Sequence, residues 1–493
     1  MKFTRRSFLR HSLAAGAAVS LPARIYAQAP GANSDIRVAV IGFNGRGKEH
    51  ISEFSKMKGV RLAALCDVDY KVLEAAKAQV EKKGGPVEVF TDIRKLLESK
   101  DIDAISTATP NHWHSLAAIW AIQAGKDVYV EKPVSHNVWE GRKVVEAARK
   151  HGRICQTGTQ SRSATGIHEA VAWTKEGNLG KLLWARGTCY KRRPSIGKVA
   201  QETPWPESID KDLWFGPAPI KPLMRAKLHY DWHWVWDTGC GDLGNQGIHQ
   251  MDIARWFLGE DALSPSILSV GGRLGYIDDG ETPNTMFTVH GYAKAPLIFE
   301  VRGLPREPAK VEVGPDGKEK RSKEEMDSFR GSTVGVIVQY EGGHLLVPDY
   351  TKVEAFDKDG KSIKKFGSSG EGHFANFIKA VQSRKYTDLN ADILQGHLSS
   401  ALCHTGNISY RLGKKADPGV IHEKIKADKE ATDSLDRMIE HLAKNGVDVK
   451  ADQLALGEFL KMNPQTEKFI GNAEADKMLT RDYRAPYVVP EKV

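Results

Sequence analysis

Beyond residue 35 the apolar positions fall into short unbroken runs separated by longer amphipathic stretches, the rhythm of strands alternating with helices. Ile36-Arg37-Val38-Ala39-Val40-Ile41 is β-branched, nearly continuous and ended by glycine, as a strand buried on both faces should be. Residues 61–66 repeat the pattern. Residues 104–107, 127–130 and 153–156 follow as further short strands, with helical periodicity over 115–124. Such alternation calls for a parallel sheet with helices on both faces. Downstream the period changes: residues 182–190, 267–275, 285–292, 297–302 and 333–340 read as strands, with few helices between the last four. Residues 307–327 are dense in charge and turn formers and read as a solvated surface insertion. Residues 395–411 read as a helix in which His397 and His404 are structural. From residue 414 the pattern is helical to about 460 and irregular after it; this stretch carries no motif and is expected to embrace a neighbouring subunit.

A chain of 493 residues, 41% hydrophobic, exceeds one typical domain. The net charge of +9 includes five cations within residues 1–27, where no acid accompanies them, so the remainder is only mildly basic. No basic run is interleaved with aromatics, and nucleic acid is not an expected partner. Cys66, Cys155, Cys189, Cys240 and Cys403 form no C-x-x-C pair, which argues against a disulfide framework and a structural zinc. His229 and His233 have helical spacing suited to a metal, but no second ligand pair accompanies them, and no metal is expected. The stretch Thr4-Arg5-Arg6-Ser7-Phe8-Leu9-Arg10, followed by an apolar run over 13–21, resembles a twin-arginine leader. That run is too short to span a bilayer, which takes about 20 residues. Residues 1–34 are thus expected to be leader and linker, cleaved near Ala27. Export of a folded protein to the periplasm or beyond follows from the resemblance, with no membrane span in the mature chain.

Gly42-Phe43-Asn44-Gly45-Arg46-Gly47 opens directly after the first strand. A dinucleotide site needs glycine where the strand turns, where backbone approaches the pyrophosphate and where the next helix packs; the phosphates then meet the helix N-terminus. Gly42 and Gly47 fill the first and third places, Asn44 stands in the second and tolerates positive φ better than most residues, and Gly45 adds a neighbour. Asp67 ends the second strand 20 residues beyond Gly47, where a carboxylate accepts the ribose hydroxyls of NAD and repels the 2′-phosphate of NADP. NAD is therefore the expected cofactor.

At later strand ends stand Thr109-Pro110-Asn111-His112-Trp113-His114 and Glu131-Lys132-Pro133. With the glycine loop and Asp67, in this order, they resemble the Gfo/Idh/MocA family of oxidoreductases; the likeness spans most of 35–305 and resumes at 372–377. The resemblance implies an N-terminal Rossmann doubly wound sheet over 35–160. It implies next, over 161–493, an α/β domain with an open, mainly antiparallel sheet that carries substrate and often the oligomer interface, so a dimer or tetramer is expected. It implies that Thr109, Pro110, Asn111, His114, Glu131 and Lys132 border the nicotinamide. The family's Asp-x-x-x-His segment matches Asn245-Gln246-Gly247-Ile248-His249. A spacing of four puts Asn245 and His249 on one helical face. His249 matches the family's catalytic histidine and suits proton transfer as hydride leaves, while Lys132 orients the hydroxyl. Asn245 departs from the family's aspartate and cannot carry negative charge. Asp237 or Asp242 would substitute for it, although both read first as turn acids.

The segment His229-Tyr230-Asp231-Trp232-His233-Trp234-Val235-Trp236 is the densest aromatic stretch; Trp232, His233 and Trp236 are candidates for a carbohydrate wall, or alternatively a core plug. Arg162, Tyr190 and Arg192 are placed at the cleft by chain position alone. The expected activity is oxidation or reduction of a sugar or polyol CH–OH with a nucleotide that stays bound, because free NAD is scarce outside the cytoplasm. Two rivals are an NAD-dependent glycosidase working by oxidation and elimination, and a sugar-sensing protein without turnover, to which Asn245 lends support.

Overall fold

The computed structural model describes residues 35–309, 311–313, 319–367, 372–451 and 453–493; the stretch read as a leader and part of the 307–327 insertion lie outside them. β1 (Ile36–Ile41), β2 (Val60–Cys66), β3 (Glu88–Phe90), β4 (Ala104–Thr107), β5 (Asp127–Val130) and β6 (Cys155–Thr157) form one parallel sheet in the order β3-β2-β1-β4-β5-β6. The order reverses between β1 and β4, and an open α/β sheet binds ligands at that switch point. Five of six residues in β1, and all of β4 and β5, are buried, which explains their unbroken apolar runs. β3 escaped the sequence reading because it is three residues long and only partly buried at the sheet edge.

The second sheet begins with β7 (Leu182–Tyr190), β8 (Ser266–Gly272), β9 (Thr285–His290) and β10 (Leu297–Arg302). The hairpin strands β11 (Val311–Val313) and β12 (Glu319–Arg321) pair only with each other. β13 (Val334–Tyr340), β14 (Gly343–Val347), β15 (Val353–Asp357), β16 (Ser362–Phe366), β17 (Lys414–Ala416), β18 (Leu454–Leu456), β19 (Leu460–Asn463) and β20 (Lys468–Phe469) complete the set. The order is β16-β15-β14-β13-β7-β10-β9-β8-β18-β17; β7 and β10 are parallel and the other pairs antiparallel. Alternate residues face opposite sides. Leu297, Phe299 and Val301 join the core beneath the helix Ile248–Leu258, whereas Ile298 and Ile337 face the helix Lys429–Lys444.

That second helix gives the residues beyond 414 a role within the chain: Leu435, Met438 and Leu442, spaced three and four apart, seal the outer face of the sheet. β18 and β19 extend the sheet edge at β8, and Tyr487, Val489 and Val493 bury themselves against the Rossmann domain. Their strands are three or four residues long, too short for a periodic signal. Among the described residues no helix is long and apolar enough to cross a membrane.

Candidate active site

A cleft of about 380 Å³ runs along the C-terminal ends of β1, β2, β4 and β5, roofed by residues from 209 to 245. At one end lies the glycine loop. Gly42 has φ +73°, and a Cβ there would meet Thr109 at 2.9 Å, so both conformation and space demand glycine. A Cβ on Gly47 would strike the Gly42 carbonyl at 2.2 Å and Phe43 at 2.8 Å, whereas Gly45 has open space before it. Asn44 keeps a negative φ, so its tolerance of the left-handed region is not drawn on. The helix Gly47–Lys56 starts without a side-chain cap; its Lys48 and Glu49 N–H groups close on the Gly45 and Arg46 carbonyls, and its positive dipole end lies at the loop.

Asp67 receives the Phe43 N–H and the Asp69 N–H, each at 3.0 Å, which fixes its carboxylate in the cleft wall at the end of β2. Burial raises its pKa, against those two hydrogen bonds. The cap of the following helix is Asp69, not Asp67. Asn111, in the cleft wall, has a buried Oδ1 with no hydrogen-bond partner, an acceptor waiting for a donor. An anion cradle with no side chain in it, a ribose-facing carboxylate and an orphaned acceptor along one groove fit a dinucleotide. Gly42, Phe43, Asn44, Gly45, Arg46, Asp67, Thr109, Pro110, Asn111, His114, Glu131 and Lys132 all line it, with Gly47 packed behind.

His114 staples the two strand-end segments. Its ring nitrogens lie 2.5 Å from the Pro133 carbonyl and 2.8 Å from the Thr109 carbonyl. Burial lowers its pKa, so the neutral ring donates to one of them at a time. Glu131 is buried between Arg46, at 3.0 Å, and His50, at 3.2 Å, and accepts the Lys132 N–H at 3.0 Å. Burial opposes its charge, but the His50 hydrogen bond and the charges of His50 and Arg46 hold it well below the usual carboxylate range.

Lys132 Nζ donates to the main-chain carbonyl of Asn245 at 2.6 Å, joining the two domains across the cleft. That carbonyl belongs to a π-turn, Leu243–Gly247, which runs into the helix Ile248–Leu258. A π-turn disturbs the regular carbonyl ladder and recurs at functional sites. Here Gly244 and Gly247 permit it, since a Cβ on either would meet Cys240 or Phe299 at 2.5 Å. Burial lowers the pKa of Lys132, with Glu131 opposing and Arg46, Lys191 and Arg193 assisting. His249 lies one turn beyond Asn245, buried behind the cleft wall, with Nδ1 unpartnered and its ring edge-on to Tyr350 at 5.0 Å. Burial first and the charge of Lys132 second push its pKa down to about 3, so it is neutral at physiological pH. The Asn245 amide reaches Asp242 only at 3.5 Å. Asp242 is committed to a two-pronged pair with Arg193, at 2.6 and 2.8 Å, and Asp237 to Lys221 at 2.5 Å; neither replaces the missing carboxylate.

Trp232 and His233 line the cleft, their rings stacked 3.6 Å apart. His233 Nδ1 donates to the Tyr230 carbonyl at 2.5 Å and burial lowers its pKa to about 3, which leaves Nε2 as a free acceptor. Tyr230 has φ +67° and ψ −48°, closed by Asp231 N–H donating to the His229 carbonyl at 2.9 Å. Such a γ-turn at a non-glycine residue costs on the order of 1–3 kcal/mol and is characteristic of functional segments.

Three predicted substrate residues stand elsewhere. Arg162 is buried against Asp252 at 2.9 Å, and Tyr190 donates to Glu300 at 2.6 Å on the outer face of the sheet. Trp236 lies under Arg411, 4.9 Å from its ring centroid, outside the cleft. Chain order alone had suggested Arg162 and Tyr190, and aromatic density Trp236; strand alternation turns Tyr190 away. Arg192 pairs with Glu324 at 2.6 Å. Sequence reasoning missed the part of the wall formed by Ile209, Leu213, Trp214 and Trp113; the clustered tryptophans of 205–214 were its only trace.

Two family descriptions match: an oxidoreductase family with NAD-binding Rossmann fold over residues 36–159, and the C-terminal alpha/beta domain of that family over 185–282. A glycosyl hydrolase family 109 protein of Shewanella sp. strain W3-18-1 is 34% identical over 153 residues, 30% of this chain and 33% of that protein. The α-N-acetylgalactosaminidase of Shewanella oneidensis is 33% identical over the same extent, so both alignments span about a third of the relatives' length. Glycosyl hydrolase family 109 protein 2 of Shewanella sp. strain ANA-3 is 31% identical over 390 residues, 69% of this chain and 84% of that protein. The WlbA dehydrogenase of Bordetella pertussis, solved with NADH and UDP-GlcNAcA, shares the fold at a TM-score of 0.53 and 18% identity, over 75% of this chain and 93% of that one. The two matched domains and the NAD cradle in the cleft lead to one conclusion: the chain is a member of the Gfo/Idh/MocA family of NAD-binding oxidoreductases.

Proposed function

We propose that the protein oxidises a CH–OH group of a sugar or polyol, and that it works outside the cytoplasm with its nucleotide retained from turnover to turnover. The observation that carries this reading is the 2.6 Å contact of Lys132 with the Asn245 carbonyl in the wall of the nucleotide cleft. Gly42, Gly45, Asp67 and Asn111 would hold NAD in this cleft, where it would supply the hydride acceptor for the reaction. Lys132 keeps two ammonium protons beyond the one used by Asn245, enough to hold the reacting hydroxyl oxygen and stabilise its developing charge. His249 is neutral, and with its Nδ1 buried behind the wall its ring has to turn into the cleft to receive the hydroxyl proton. Trp232 offers an apolar face to sugar C–H groups, and the roof excludes water. The twin-arginine pattern supports loading of the nucleotide before export.

A second reading, an NAD-dependent glycosidase, shares this first step and is favoured by a specific feature. His233 supplies another neutral imidazole in the wall, with Nε2 free to move the further proton that elimination of a glycoside requires. The names of the curated relatives lean the same way. The test is a panel of sugars and aryl glycosides given to nucleotide-loaded protein. Reduced-nicotinamide absorbance without release of the aryl group supports the dehydrogenase; aryl release that depends on NAD supports the glycosidase. Nucleotide binding with neither signal on any sugar overturns both.

A further inference from the structure

The roof over the far end of the cleft, at the Asp67 side, is a strap from the second domain, residues 205–218. It pairs with the Rossmann domain through a bridge between Asp69 and Ile209, with Tyr70 N–H donating to the Ser208 carbonyl at 3.0 Å and Asp210 N–H to the Val68 carbonyl at 3.3 Å. From below, the Trp113 indole donates to the Leu213 and Trp214 carbonyls at 3.0 and 3.1 Å, and a Cβ on Gly216 would sit 2.2 Å from that indole. From outside, the end of the chain fastens the strap. Tyr487 O–H donates to the Asp212 carboxylate at 2.5 Å, and Arg484 pairs with the same carboxylate and donates to the Asp212 carbonyl at 2.7 Å. Tyr487 is itself buried, edge-on to Trp113 at 5.6 Å. Ile209, Leu213 and Trp214 face the cleft, so the strap cannot lift from the nucleotide while Asp212 stays fastened.

We propose that Asp212, Arg484 and Tyr487 form a bolt that retains the nucleotide: they are positioning residues that act through the strap and set the rate of cofactor release without touching the reacting atoms. The inference rests on the reading of the cleft as the NAD site and adds the part of the chain that keeps NAD from exchanging. The Asp212 carboxylate accepts from Tyr487 and pairs with Arg484, the third contact being to the Asp212 main-chain carbonyl, and the side chain is half-exposed, so it can be removed without opening a core.

The experiment loads full-length protein with NADH, chases it with excess NAD and follows the loss of bound nicotinamide fluorescence. Asp212→Ala, Tyr487→Phe and their combination are compared with the wild type and with Glu474→Ala, an exposed helix pair remote from the strap. Thermal unfolding of each nucleotide-free variant reports whether it is folded. The expected result is slow release from wild type and Glu474→Ala, at least tenfold faster release from Asp212→Ala and from the double variant alike, since Asp212→Ala already removes the acceptor of the Tyr487 hydroxyl, and an intermediate rate from Tyr487→Phe. Release from a folded double variant within twofold of wild type overturns the bolt, and so does a wild type that releases in seconds; both leave the NAD site standing. Failure of NADH to bind the wild type at all removes the bolt together with the site. Should the double variant fail to fold, Tyr487→Phe alone decides, since it removes one hydroxyl and keeps the buried ring.

Discussion

Lys132 and His249 depart from their ordinary protonation behaviour for one main reason, burial, and the consequences for pH are definite. His249, with a pKa of about 3, stays neutral above pH 4, so it imposes no acidic limb near 6.5. Lys132 is held below the ordinary lysine value, so the alkaline fall in kcat/KM sets in below pH 10.5. The expected profile has no acid limb near 6.5; one there would contradict the assignment of His249. Asn245→Asp places a carboxylate next to both groups and is expected to raise both pKa values, bringing in an acid limb and moving the alkaline one upward. If Asn245 instead marks a protein without turnover, neither variant nor wild type gives a rate to profile.

At the level of elements, the site depends on the second sheet being sealed on both faces. Glu300 on β10 is buried among Arg186 of β7, Arg302 and Arg437 of the helix Lys429–Lys444, and receives Tyr190 O–H. Glu300→Gln leaves those guanidinium groups buried with too little negative charge and is expected to cost about 3–5 kcal/mol in denaturant unfolding at pH 7. A loss under 1 kcal/mol would mean that the network is solvated or rearranges. This cluster was invisible in the sequence because its members are scattered from 186 to 437 and only strand alternation brings them to one face. The Rossmann strands were legible for the opposite reason: β4 and β5 are buried throughout and β1 at all but Arg37, and a nearly unbroken apolar run admits few other readings. The glycine loop, Asp67 and Glu131-Lys132-Pro133 were legible because each is local. Arg162 and Tyr190 were misplaced because chain order carries no information on which way a side chain points, Trp236 because an aromatic run does not say which of its rings face the cleft, and the π-turn at Asn245 left a hint only in Gly244 and Gly247.

Across the whole molecule, histidines buried in the neutral state tie stability to pH. His112, His233, His249, His290 and His404 have pKa values lowered by burial to about 3, and His373 to about 4. An unfolded histidine titrates near 6.5, so between pH 6.5 and about 3 the unfolded chain binds more protons than the folded one. Stability is therefore complete above 6.5 and falls on acidification, by about 1.4 kcal/mol per pH unit for each group. Against a total of about 5–15 kcal/mol, acid unfolding is expected above about pH 4. His290 has neither ring nitrogen partnered, so His290→Leu should stabilise at pH 7 by about 1 kcal/mol and flatten the acid slope. A pH-independent unfolding midpoint between 4 and 7 would refute this. The central claim is that Lys132 and His249, from separate domains, act on one sugar hydroxyl beside the nucleotide. It is tested most directly by single-turnover absorbance: nucleotide-loaded wild type mixed with a panel of sugars and glycosides should show the reduced-nicotinamide band on at least one of them. Lys132→Ala and His249→Ala, with nucleotide still bound, should each slow that band by about 10²–10⁴-fold. A band that forms at the wild-type rate in either variant would contradict the account.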